Sequence, residues 1–337
     1  MRIGLLCLVA ACGAKGQVIG EAAVELAAGM DNTCARTKSG KVYCWGDDAR
    51  TSTSRRLEDL DPPKRKIPVR VRGVEGARAI ALDRKRGCAA LANGTTQCWL
   101  DESLLASPQM KFAVTQLALQ HTSICGLAEG GTIQCATDGA VSQVPDVRGA
   151  VRFDGGFDGG CARLGDGTLT CWGRSKLAPG IVGPVESFAS RGKAYCVVEA
   201  GVVKCWGENS GELGRIPARF LDEDTIAAPT PINNMPPARE VVMGGMFACA
   251  IATDHTAWCW GRSMFGETGT NGNTAMAFQV AGIDDVAQLA LGEFHACALR
   301  KSGDVWCWGR GNRGQLGNGE TEDTARPVRV ALGGPAD

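Results

Sequence analysis

Histidine is scarce in this chain: three in 337 residues, at His121, His255 and His295. That leaves few side chains able to exchange protons near neutral pH. Three catalytic or nucleotide-binding signatures are missing: the Gly-x-x-x-x-Gly-Lys-Ser/Thr phosphate loop, the His-Glu-x-x-His zinc motif and the Gly-x-Ser-x-Gly elbow. No two cysteines stand two to four residues apart, the spacing that structural zinc sites use. The 36 basic side chains are matched by 36 acidic ones, so no basic excess exists to hold nucleic acid. No apolar run reaches the length of about 20 residues that crosses a bilayer. An enzyme, a metal or cofactor carrier and a nucleic-acid binder are therefore not expected. The Asp-rich stretch Asp154-Gly155-Gly156-Phe157-Asp158 leads into a strand and fits no calcium motif.

Cysteine, by contrast, is abundant, with sixteen residues. Fourteen form seven pairs: Cys34 and Cys44, Cys88 and Cys98, Cys125 and Cys135, Cys161 and Cys171, Cys196 and Cys205, Cys249 and Cys259, Cys297 and Cys307. Six pairs are ten positions apart. Folding Cys297 onto Cys307 in antiparallel register sets Leu299 against Val305 and leaves Lys301-Ser302-Gly303 as a three-residue turn. The last turn position wants positive φ, which glycine supplies. Gly40, Gly94, Gly131 and Gly167 fall at the same place, and His255 takes it in the sixth unit. The fifth pair is nine apart, which leaves the two-residue turn Ala200-Gly201. Opposed residues on antiparallel strands have Cα atoms about 4.5–5.5 Å apart, within disulfide range. Seven local disulfides are predicted; seven pairs of reduced, buried cysteines are the alternative.

The second cysteines recur at intervals of 54, 37, 36, 34, 54 and 48 residues. Such intervals suit one four-stranded blade each, which predicts a seven-bladed, all-β propeller over residues 22–333. The shorter repeats three to five could lack a strand or have abbreviated loops. Pro327-Val328-Arg329-Val330 has no repeat after it, so it is expected to join the blade built from residues 22–46 and close the ring. Six of the eight Trp residues follow a second cysteine, a regularity that predicts packing between blades. Trp258 and Trp306 fall on the opposite strand side. The linkers 47–66, 208–237, 262–274 and 310–326 all follow a Trp-Gly, so they should emerge on one face, where binding loops are expected.

The seventh unit reads Gly292-Glu293-Phe294-His295-Ala296-Cys297-Ala298-Leu299, then Gly303, Trp308-Gly309 and Gly314-Gln315-Leu316-Gly317. It resembles the repeat of the regulator of chromosome condensation family. The fifth unit keeps Cys205-Trp206-Gly207 and Gly211-Glu212-Leu213-Gly214, and Cys-Trp-Gly recurs at 44–46, 171–173 and 259–261. Cys98-Trp99-Leu100 and Cys135-Ala136 depart from the pattern. The resemblance covers about residues 22–332. It implies a propeller, with His295 in a buried, hydrogen-bonded position. It also raises an intracellular guanine-nucleotide exchange factor or chromatin regulator as one functional alternative, and a secreted enzyme inhibitor as another.

The first residues point elsewhere. Met1-Arg2, the apolar run Ile3 to Ala11 and then Cys12 read as an export signal over 1–11. Val9-Ala10-Ala11-Cys12 resembles the bacterial lipoprotein cleavage box, which implies lipidation of Cys12 and loss of Cys7 with the signal. All remaining cysteines would then pair, as suits an oxidising compartment. Residues 12–21 are a tether, and Gly13 leans the anchor towards the outer membrane. The expectation is a monomeric, non-enzymatic, disulfide-containing bacterial envelope lipoprotein, exported and held to the membrane by its N-terminal lipid. Its partner would be a protein or glycan outside the cytoplasm.

Overall fold

The computed structural model describes residues 21–47, 64–83, 86–100, 103–105, 113–120, 123–137, 140–156, 159–173, 183–217 and 224–332. Across them the chain is all-β and forms seven antiparallel sheets in sequence, the blades of a propeller. Blade 1 comprises β1 Ala23–Ala28, β2 Asn32–Thr37, β3 Val42–Asp47 and β4 Lys64–Arg70. Blade 2 comprises β5 Ala77–Asp83, β6 Arg86–Leu91, β7 Thr96–Leu100 and β8 Ser103–Leu105. Blade 3 comprises β9 Val114–Gln120, β10 Ser123–Ala128, β11 Ile133–Thr137 and β12 Ala140–Gln143. Blade 4 has three strands among the described residues, β13 Ala150–Gly156, β14 Gly159–Leu164 and β15 Leu169–Gly173. Blade 5 comprises β16 Val185–Arg191, β17 Ala194–Glu199, β18 Val202–Asn209 and β19 Asp224–Pro231. Blade 6 comprises β20 Ala238–Met243, β21 Phe247–Ala252, β22 Ala257–Gly261 and β23 Thr274–Gln279. Blade 7 comprises β24 Val286–Leu291, β25 His295–Arg300, β26 Val305–Gly309 and β27 Thr324–Arg329.

Each cysteine pair lies directly across the second and third strands of its blade. All seven pairs are disulfide-bonded, with Cα atoms 4.0–4.1 Å apart. The turns between those strands have the anticipated conformations. His255 has φ 67°, Gly303 has φ 88°, and the two-residue turn has φ 50° at Ala200 and 76° at Gly201. A second reason for glycine then emerges. A Cβ on Gly40 would come within 2.7 Å of the backbone of Ala77 in the next blade, and one on Gly303 within 2.5 Å of Ala22.

The strand expected to close the ring does not do so. β27 pairs with β26 of its own blade, Val328 opposite Cys307. Likewise Val69 of β4 lies opposite Cys44 of β3. The Pro-Val-Arg-Val strand thus ends a repeat instead of beginning the next one, and among the described residues each blade is built from consecutive strands with none exchanged. The ring closes where blade 7 meets blade 1, with the same bonds that join other neighbours. The Ala23 N–H donates to the Gly303 carbonyl at 3.1 Å, as Ala77 donates to Gly40, Ala150 to Gly131, Val185 to Gly167, Ala238 to Gly201 and Val286 to His255. Ala23, Leu26 and Trp45 from blade 1 share one buried core with Leu299, Val305 and Leu316 from blade 7.

The shorter repeats resolve differently from one another. Blade 3 keeps a fourth strand of four residues, and blade 5 has a full outer strand inside the stretch 208–237, which the sequence presented as a linker. Among the described residues blade 4 has the fewest strands, and its bridge is the least covered. Thirteen of the bridged cysteines are buried, whereas Cys171 is half-buried. Limiting tris(2-carboxyethyl)phosphine should therefore open Cys161–Cys171 first, read by alkylation and peptide mapping. Equal labelling at Cys297 and Cys307 would show that burial does not set the order.

Candidate functional site

The first strand of each blade is innermost and has one edge without a strand partner. Together these strands line a central cavity of about 280 Å³. Unpaired backbone groups are costly unless something satisfies them. Each innermost strand carries a β-bulge near its start, which re-aims one side chain. The residue after the bulge then reaches the neighbouring strand. Gln288 accepts from the Leu26 N–H at 2.9 Å and donates to the Leu26 carbonyl at 3.0 Å. Gln116 does the same for Phe153, at 3.1 and 2.7 Å. Glu25 accepts from Ile80 N–H at 3.3 Å, and Ser187 from Val241 N–H at 3.3 Å. At the same position blade 4 has Arg152 and blade 6 has Glu240, and these two pair with each other at 3.3 Å.

The charged groups at the channel are thus engaged. Asp154 accepts from both the N–H and the hydroxyl of Ser190, at 2.7 and 3.0 Å. Phe157 and Asp158 lie outside the described residues, as does His121. No cluster of three metal-binding side chains occurs among the described residues. Residues 1–20, with the export segment, Cys12 and all but the last residue of the tether, also lie outside them.

The face bearing the loops after each third strand is built on Trp. Trp45 donates its indole N–H to the Gln315 carbonyl at 2.9 Å, Trp260 to that of Glu212 at 2.8 Å, and Trp308 to that of Glu267 at 3.0 Å. The acceptors sit in Gly314-Gln315-Leu316-Gly317, Gly211-Glu212-Leu213-Gly214 and Gly266-Glu267-Thr268-Gly269 of the preceding blade. The third tract has Thr268 in place of leucine, which hides it in the sequence, although it follows Trp260-Gly261 much as the others follow their own Trp-Gly. Trp258 and Trp306 are half-buried against the core; Trp258 donates to the Thr256 hydroxyl at 2.9 Å.

Glu212, Glu267 and Gln315 hold equivalent buried positions and each accepts a backbone N–H two residues earlier, from Ser210, Phe265 and Arg313. Burial raises the Glu212 and Glu267 carboxyls above their usual 4.5. His295 is fully buried, with its Nε2 2.8 Å from the Thr33 hydroxyl across the closing seam. Burial lowers it from 6.5 to about 3, so the ring is neutral. His255 occupies its turn and contacts the Val286 carbonyl through Nδ1 at 3.3 Å.

One cluster on this face, half-buried except for Met264, has the composition of a binding surface. Phe265, from the blade 6 loop, meets Phe294, from the first turn of blade 7, edge to face at 5.4 Å. The Arg310 guanidinium lies 5.0 and 5.7 Å from the two ring centroids. Met264 beside them is 51% exposed. Neither Phe belongs to the Cys-Trp-Gly pattern, so sequence spacing did not single out the cluster.

The buried groups predict opposite pH limbs. An unfolded chain protonates its histidine below 6.5 whereas the folded chain does not, so stability falls as pH drops from 6.5 towards 3. A raised carboxyl contributes stability below its unfolded value of 4.5, and that contribution is lost as pH rises through the folded value. His295→Phe, which copies Phe247 at the matching place in blade 6, should flatten the acid limb of a melting-temperature profile. Glu212→Gln should raise the melting temperature at neutral pH. An acid limb unchanged by His295→Phe would dismiss His295 as its source.

The pattern of the Regulator of chromosome condensation (RCC1) repeat matches residues 23–50, 286–315 and 302–334. No curated protein matches the chain at the sequence level. Among solved structures, the ectodomain of the Physcomitrella patens receptor kinase CR4 is similar at TM-score 0.56 and 16% identity, over 86% of this chain and 73% of that one. The CRINKLY WD40 ectodomain of the Arabidopsis thaliana receptor kinase ACR4 is similar at TM-score 0.54 and 19% identity, over 92% and 99%. Yeast RCC1 (Prp20), solved with Kap60 bound, is similar at TM-score 0.50 and 16% identity, over 91% and 74%. At these identities the likeness extends to the fold. The chain is a seven-bladed β-propeller whose first and last blades match the RCC1 repeat pattern.

Proposed function

We propose that this chain is a non-enzymatic binding propeller whose loop face engages a protein. The observation that carries the reading is the cluster of Phe265, Phe294, Arg310 and Met264 on that face. Aromatic, arginine and methionine side chains are the residues enriched at protein interfaces. A disulfide in every blade makes the scaffold rigid, which lowers the cost of ordering a binding surface. The charged channel groups are engaged, Arg152 with Glu240 and Asp154 with Ser190, which favours a structural role for them over a catalytic one. Yeast RCC1 (Prp20), which is similar in fold, is bound by the protein Kap60. A glycan remains the second ligand class, disfavoured by the apolar character of the cluster.

The chain acts, in this reading, as a monomer outside the cytoplasm, held to the bacterial outer membrane through a lipid on Cys12 after removal of residues 1–11. Seven disulfides favour an oxidising compartment. An intracellular exchange factor, the alternative suggested by the repeat, would keep these cysteines in a reducing cytosol.

Non-reducing peptide mass mapping of protein purified from its native cells separates the two. The expected result is a lipid-modified Cys12 at the N-terminus and seven bridges within blades. An intact Met1 with free cysteines would overturn the exported reading and put the exchange-factor reading first.

A further inference from the structure

Arg310 follows β26 directly, and its surroundings come from three blades. Phe265 belongs to blade 6, Phe294 to blade 7, and Asp31 to the first turn of blade 1. Both rings are half-buried and hold the guanidinium within the roughly 6 Å at which a cation meets an aromatic face favourably. Yet that guanidinium donates no hydrogen bond to any described residue. Its Nε is buried without a partner and out of reach of a ligand, and the carboxylate of Asp31 lies 3.8 Å from Nη1, beyond hydrogen-bond reach, so the donors offered to a partner are those on the two Nη atoms. The other carboxylates of this region are committed elsewhere. Glu293 pairs with Arg191, Asp323 accepts from the Gly311 N–H at 2.8 Å, and Asp31 accepts from Gln315 Nε2 at 3.4 Å.

We propose that Arg310, framed by Phe265 and Phe294, is the anchor for an acidic side chain of a protein partner, with Met264 receiving an apolar neighbour of that side chain. The inference rests on the reading of the chain as a protein-binding propeller and names what the partner must present. A guanidinium pressed against aromatic rings is partly stripped of water and keeps its fork of donors in one orientation, which suits a carboxylate. The charge balance selects the ligand. Asp31 balances Arg310 and Arg191 balances Glu293, so the site has no surplus positive charge, and a single carboxylate is tolerated better than a phosphate, which carries about −1.5 to −2 at neutral pH. Asp31 is the internal competitor: it approaches the guanidinium without bonding to it, and a partner's carboxylate would take the open donors.

The test uses the full folded domain and fluorescein-labelled peptides containing Phe-Glu-Leu, Phe-Gln-Leu or Phe-phosphoserine-Leu, read by anisotropy. The Glu peptide should bind saturably and at least about fivefold tighter than the Gln peptide. Arg310→Met should weaken the Glu peptide about tenfold, and Arg310→Lys, which keeps the charge but loses the fork, should fall between. Asp31→Asn should tighten the Glu peptide and leave the Gln peptide unchanged, a gain that a misfolded variant would not produce. Equal binding of Glu and Gln peptides, preference for the phosphopeptide, or loss of the Asp31→Asn gain would overturn the proposal. In-cell cross-linking separates the two levels. The same protein captured by wild type and Arg310→Met would refute the anchor but leave protein binding standing. No protein and no peptide bound by wild type would remove both.

Discussion

The inner edge of each blade is the constraint on which the ring depends. An innermost strand has backbone donors and acceptors facing a narrow channel, where no further strand fits. Bulges convert this problem into a joint between blades. They turn one side chain per blade towards the neighbouring strand, and an amide such as Gln288 or Gln116 satisfies both a backbone N–H and a C=O at once. Glu25 and Ser187 satisfy one N–H each. Where the position holds Ala79, Arg152 or Glu240, no such bond forms, and the last two pair with each other instead. The joint between blades 7 and 1 is of the fullest kind, a two-bond amide. Closure therefore comes from this side-chain joint together with the Ala23–Gly303 backbone bond and needs no exchanged strand.

Outward from that edge, two further layers finish the ring. The disulfides hold each hairpin. Bridges that close loops of nine or ten residues stabilise by about 2–3 kcal/mol each in the chain-entropy model. That support suits thin blades such as the fourth, which has little sheet of its own among the described residues. Trp45, Trp260 and Trp308 then fasten the loop face, their indole N–H groups reaching carbonyls in the preceding blade. Arg310 and the two Phe rings rest on this fastened layer, which gives a half-buried surface cluster a rigid base.

The repeat was legible because its signals are local. Cysteine spacing fixes the register of two strands, and a turn of two or three residues leaves few conformations, so even the exceptions at Ala200-Gly201 and His255 were readable. Regular Trp placement likewise revealed packing between blades. The phase of the repeat was not legible. Pro68-Val69-Arg70-Val71 lies between two repeats and pairs across a loop with the strand before it, a non-local choice that composition does not reveal. The joints at Gln288 and Gln116 were hidden for a similar reason, since a bulge gives them their aim and no motif marks a bulge. The cluster at Arg310 gathers residues more than 270 positions apart, counting Asp31, and single-sequence spacing carries no signal for such a meeting.

Native-state hydrogen exchange at the Leu26 amide, compared between wild type and Gln288→Ala, tests closure most directly. Leaving the Leu26 N–H and C=O without partners should cost about 1–3 kcal/mol. If side chains close the ring, Leu26 exchanges faster in the variant and protection falls across β1 and β24 together, while β11 and β12 of blade 3 change little. Unchanged protection at Leu26 and an unchanged unfolding free energy would mean that the blade 7–blade 1 joint does not depend on Gln288.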